Sequence, residues 1–93
     1  MKKIKIQNIR KKLDILDLQI LNLIKARTLL VDKVILTKKF KNQIIDNKRI
    51  VIIMKKIKAK SLQKKIDPDI TKKIWSTMIR AYIDYEFKNF KKK

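Results

Sequence analysis

The chain has 93 residues, of which 27 are Lys or Arg and 8 are Asp or Glu, giving a formal charge of +19. That is one domain at most, with a small core and a reason to gain stability from a second copy. There is no Cys and no His, which excludes disulfides, thiolate and imidazole metal sites, and the commonest general base.

The first predicted element is a single helix from about Ile4 to about Lys38. The segment holds no Gly or Pro, and Ile9, Leu13, Leu16, Ile20, Leu23, Leu30 and Val34 recur three and four residues apart. At 1.5 Å per residue it is about 50 Å long. "KKFKNQII" reads as a loop. Asp46 is placed to cap a second helix from about Asn47 to about Lys64. Its apolar face is Ile50, Ile53, Met54 and Ile57, with Leu62 near the end. In "IDPDI" Asp67 can cap a third helix, Pro68 suits its first position, and Asp69 complements its positive end. That helix is expected to reach about Phe90, with a stripe of Trp75, Ile79, Tyr82, Ile83, Glu86 and Phe90. The last three lysines read as a solvated tail.

No strand pattern, repeat or glycine-rich phosphate loop is visible, so the fold class is all-α, one domain over residues 1–93. Two helices of about 30 Å cannot cover one of about 50 Å. A second copy with paired long helices is the simplest cover for the remaining seam. No apolar run reaches the roughly 18 residues of a membrane span. Charges interrupt the N-terminal segment, so a cytoplasmic protein without a signal peptide is expected.

A charge of +19 suggests a nucleic acid or an acidic surface as partner. The lysines are spread over all helices and both ends, however, and a chain rich in Lys, Ile and Asn without Gly is what AT-rich codons encode. No short helix-turn-helix and no base-reading face is visible, so nucleic acid is an unexpected partner. Lys is the common cation; Arg occurs only at positions 10, 27, 49 and 80, and Glu only at 86. Arg grips a carboxylate with a planar fork. The rare charges are therefore where chemistry is sought.

Arg27 falls in the apolar seam of the first helix. Lys38, 11 residues on, is rotated by only about 20° from it and lies about 16 Å along the axis. Arg10 is about 25 Å from Arg27, too far to share a ligand within one chain, though an antiparallel partner could present it. Glu86 interrupts the stripe of the third helix. Each has a plain structural reading. Arg27 can snorkel, Lys38 can end a helix in solvent, Arg49 can lie on the surface, and Glu86 can pair with Arg27 as a buried ion pair. Together, several cations and one carboxyl in an apolar bundle suggest a pocket for a small polyanion.

These residues resemble a known family, the small all-helical chorismate mutases. The resemblance is carried by "IRKKLDILDLQILNLIKAR", Lys38, "DNKR" and "IDPDITKKIWSTMIRAYIDYE", from Ile9 to about Glu86. It implies three helices per chain, intertwined as a homodimer with two equivalent pockets. It implies that Arg27 binds a substrate carboxylate and that Arg10 reaches the partner's pocket. Lys38 then holds the ether oxygen and a carboxylate, Arg49 lies near the ring carboxylate, and Asp46 lies by the ring hydroxyl. Glu86 is the second donor to the ether oxygen.

The implied reaction, chorismate to prephenate for phenylalanine and tyrosine synthesis, is an intramolecular pericyclic rearrangement that needs no nucleophile, base or cofactor. The protein must fold a flexible dianion and stabilise charge developing on the ether oxygen. Glu86 donates only when it carries a proton, so activity is expected to fall as pH rises. Two positions depart from the mutases. Ile50 stands where many have Glu, and Tyr82 stands at a substrate-facing position where many have a small polar residue. Both look like the related isochorismate-pyruvate lyases, which form salicylate on the same fold. That lyase activity, a basic nucleic-acid-binding module and a non-catalytic regulatory subunit are the alternatives to the mutase.

Overall fold

A computed structural model describes residues 5–91. Ile4, where the sequence reading opens the first helix, and the last two lysines of the tail lie outside the described residues. The described chain is all-α, with no strand among those residues. Helix α1 spans Ile6–Thr37, a short 3-10 helix spans Lys41–Gln43, α2 spans Asn47–Gln63 and α3 spans Pro68–Asn89. The expected helix boundaries hold to within about two residues, the usual fraying of helix ends. The predicted loop contains the 3-10 turn, which periodicity could not reveal because it is only three residues long.

The chain divides into two compact units, Met1–Asp32 and Lys33–Lys93. The first is a stretch of α1, and none of its described side chains is buried. The seam residues Ile9, Leu13, Leu16, Ile20, Leu23 and Leu30 are 44–70% exposed. That length of helix is stabilised by its uninterrupted backbone ladder, since no Gly or Pro breaks it. Its apolar burial within the unit is slight.

The second unit contains the last turn of α1, the 3-10 turn, and the α2–α3 hairpin, whose two helices pack together. Asp46 caps α2 by accepting from the Arg49 N–H at 3.0 Å. Asp67 caps α3 by accepting from the Asp69 N–H at 2.9 Å, with Pro68 in the first turn. Ile50, Ile53, Met54 and Ile57 are half-buried, as expected for the inner face of α2. Leu62 is not part of that face: it is 58% exposed, because the helix places Ser61 inward instead.

Ser61 Oγ lies 2.7 Å from Thr71 Oγ1 across the hairpin. Ser61 Oγ also donates to the Ile57 carbonyl at 2.6 Å, and Thr71 Oγ1 lies 3.3 Å from the Pro68 carbonyl. Two hydroxyl protons thus serve three contacts, and both buried oxygens keep a partner.

The turn between α2 and α3 closes with Ile66 N–H on the Ser61 carbonyl at 2.8 Å and Lys65 N–H on the Leu62 carbonyl at 3.2 Å. This pair of bonds is the Schellman arrangement, which needs a left-handed residue after the helix. Lys65 fills that place at φ 58°, in a chain without glycine. A side chain there strains the backbone, which glycine avoids. Lys65→Gly is expected to raise the unfolding free energy by about 0.5–1 kcal/mol, measured by denaturant titration. No gain would mean that Lys65 has compensating contacts.

Candidate active site

The site is assembled around the end of α1. Lys38 is the first residue after that helix, and its N–H still bonds the Ile35 carbonyl at 3.2 Å. The Lys38 ammonium donates to Glu86 Oε1 at 3.2 Å and to the Ile44 carbonyl at 3.3 Å. The two side chains are 17% and 11% exposed, so they form a partly dehydrated ion pair. Glu86 itself is only 8% exposed, one of the few buried residues described, with Ile35, Ile44, Ser61, Thr71 and Phe90. The carboxylate therefore pairs with Lys38, and the reading of Lys38 as a solvated helix end is corrected. An ammonium has three N–H donors, so two are committed here and one is left for a ligand.

Asp46 lines the same shallow cleft as Lys38, together with Thr37, Gln43, Ile45, Asn47 and Lys48. The cleft volume is about 530 Å³, within the range of small-molecule sites. One carboxylate oxygen of Asp46 is used as the cap of α2. The other has acceptor capacity of its own. Arg49 stands in the first turn of α2 with an exposed side chain.

Tyr82 is half-buried on α3, one turn before Glu86, and meets Tyr85 edge-on at 6.3 Å and 84°. Ile50 lines a separate cleft between α2 and α3 with Met54, Ile79 and Ile83. In the other unit, Arg27 is half-buried on α1 and Arg10 is exposed. The structure thus brings Lys38 to Glu86 and places Asp46 on the Lys38 cleft.

Two parts of the site were not legible in the sequence. The Ile44 carbonyl is a backbone group, so no residue type announces it. Gln43 organises the loop: its Oε1 accepts from the Lys39 N–H at 2.6 Å and the Phe40 N–H at 3.0 Å. A Gln three residues after the N-cap of a short helical turn is the one signal that could have been read.

The second unit is thus an all-helical unit in which a cation lining a cleft is paired with a shielded carboxylate, an arrangement compatible with an anionic ligand. The family model for chorismate mutase type II matches residues 9–87. The chain belongs to the chorismate mutase type II family. No curated protein and no solved structure matches it.

The ion pair has a stability consequence. Lys38→Met leaves the shielded Glu86 carboxylate without its cation. The expected loss is about 1–3 kcal/mol, and the loss is expected to be smaller when Glu86→Gln is already present, since the charge to be compensated is then gone. Denaturant titration of the two single variants and the double variant measures the coupling. Strictly additive losses would mean the pair contributes nothing.

Proposed function

We propose that the protein is a chorismate mutase, an isomerase that converts chorismate to prephenate. The family match supports the reaction class. The observation that carries the reading further is the meeting of Lys38 and Glu86, 48 residues apart in sequence. The rearrangement breaks an ether C–O bond and forms a C–C bond within one molecule, so nothing is transferred to the protein. What the site must supply is positive charge and hydrogen-bond donors at the ether oxygen as that bond breaks.

The remaining N–H of Lys38 is the first donor. Glu86 is the second when it carries a proton on Oε2, because Oε1 can still accept from Lys38. Arg27 and Arg49 hold the two carboxylates and Asp46 accepts from the ring hydroxyl, which fixes the reactive conformation. Tyr82 closes the ring-facing side. We assign no cofactor.

The working form in this reading is a homodimer. The exposed seam of α1 supports it, since Ile9, Leu13, Leu16, Ile20, Leu23 and Leu30 are apolar and uncovered in the single chain. Arg10 of a second copy then completes each pocket. A cytoplasmic location fits a biosynthetic enzyme. Among the described residues no helix is long and apolar enough to cross a membrane.

A second reading on the same fold, an isochorismate-pyruvate lyase, is favoured by the apolar Ile50 and the aromatic Tyr82. The test is a paired assay on purified protein, following chorismate loss and isochorismate-dependent salicylate release separately. Chorismate turnover is expected to dominate and to fall about 100-fold or more in Arg27→Ala. Dominant salicylate release would transfer the assignment to the lyase. Neither activity would leave a binding or regulatory role.

Two further outcomes are expected. Mixing inactive Arg10→Ala and Arg27→Ala chains restores about one quarter of the parental activity, because half of randomly mixed dimers are hybrids with one intact pocket. No recovery after subunit exchange would remove Arg10 from the partner's site. The Glu86→Gln variant keeps activity within about tenfold of the parent, since an amide N–H can donate at the same place. A Glu86→Gln variant as inactive as Glu86→Ala would take the donor role from Glu86.

A further inference from the structure

We infer that Gln43 is a positioning residue for the Lys38 ammonium, acting through the loop backbone. This rests on the proposed role of Lys38 at the ether oxygen. The loop from Lys38 to Asp46 has to present the Ile44 carbonyl to Lys38 Nζ, and they meet at 3.3 Å. Its first two free amides, those of Lys39 and Phe40, both donate to Gln43 Oε1, at 2.6 and 3.0 Å. Backbone N–H groups only donate, so the amide oxygen of Gln43 is the atom that must face them.

The turn is then closed by Gln43 N–H on the Phe40 carbonyl and Ile44 N–H on the Lys41 carbonyl, both at 3.1 Å. The Ile44 side chain is 3% exposed, which anchors the far end of the turn. One side chain thus fixes the start of the loop, a buried isoleucine fixes its end, and the carbonyl between α1 and α2 is left aimed at the ammonium. Together with Glu86 Oε1 at 3.2 Å, that carbonyl sets where the third N–H of Lys38 points. Gln43 is exposed, so its value lies in these two bonds and not in core packing.

The experiment compares Gln43→Ala and Gln43→Glu with the parent by kinetics and NMR. A Glu carboxylate can still accept from both amides, whereas Ala cannot. In Gln43→Ala, the Lys39 and Phe40 amides lose exchange protection and 13C relaxation at Lys38 Cε reports greater mobility. The kcat on chorismate falls about tenfold while KM stays within about twofold, as expected for a misplaced donor. Gln43→Glu restores all three readouts, and Gln43→Ala adds no further kcat loss in a Lys38→Met background.

Unchanged Lys38 Cε relaxation in Gln43→Ala overturns the inference, whatever the rate does. So does an unchanged kcat in an active enzyme. If the parent turns over no chorismate, the functional reading fails, and the relaxation data still decide whether Gln43 positions Lys38.

Discussion

A lysine ammonium at the end of one helix and a carboxylate on another meet at 3.2 Å in a region with little water. Everything else in the second unit serves that contact. α1 ends where Lys38 can turn away from its axis. The 3-10 turn delivers a carbonyl to the same ammonium. The Asp67 cap and the Ser61–Thr71 pair set the start and packing of α3, and hence the position of Glu86 further along it. Burying two charges is costly unless their hydrogen bonds are satisfied. Here the lysine has two acceptors, and no described side-chain polar atom that is fully buried lacks a partner.

Such a pair is weak evidence for stability. An apolar pair at positions 38 and 86 would fold as well without the desolvation cost. In the proposed reading a ligand shares these charges. A pericyclic rearrangement is the kind of chemistry a chain without histidine or cysteine can catalyse, because it asks for preorganised charge and shape alone. The excess of lysine elsewhere adds a diffuse positive field, which attracts anions in general and orients none of them.

Much of the fold was legible in the sequence, for specific reasons. The "IDPDI" punctuation announces the start of α3, and Asp46 announces the start of α2, because caps are local chemistry. The stripe from Trp75 to Phe90 follows from a 3.6-residue period. Leu62 departs from the apolar pattern because the inward place at that end of α2 is held by Ser61, which pairs with Thr71. Of the site, the composition contrast points to Glu86 as the lone glutamate and to the sparse arginines. The Lys38–Glu86 ion pair is not legible there: the sequence offers Arg27 as the partner of Glu86, and the resemblance sets Lys38 and Glu86 as two separate donors to one oxygen. The carbonyl of Ile44 and the double acceptor role of Gln43 depend on backbone geometry, which residue types do not encode. The lysine at the left-handed Lys65 was equally silent, since the usual signal, glycine, is missing from the chain.

The most direct measurement is the steady-state rate of purified Lys38→Met on chorismate, with helical content checked by circular dichroism. The account predicts a folded protein whose kcat/KM is lower than that of the parent by about 100- to 1,000-fold. A folded variant within about threefold of an active parent would contradict it, because the ion pair would then be a structural feature with no part in the reaction.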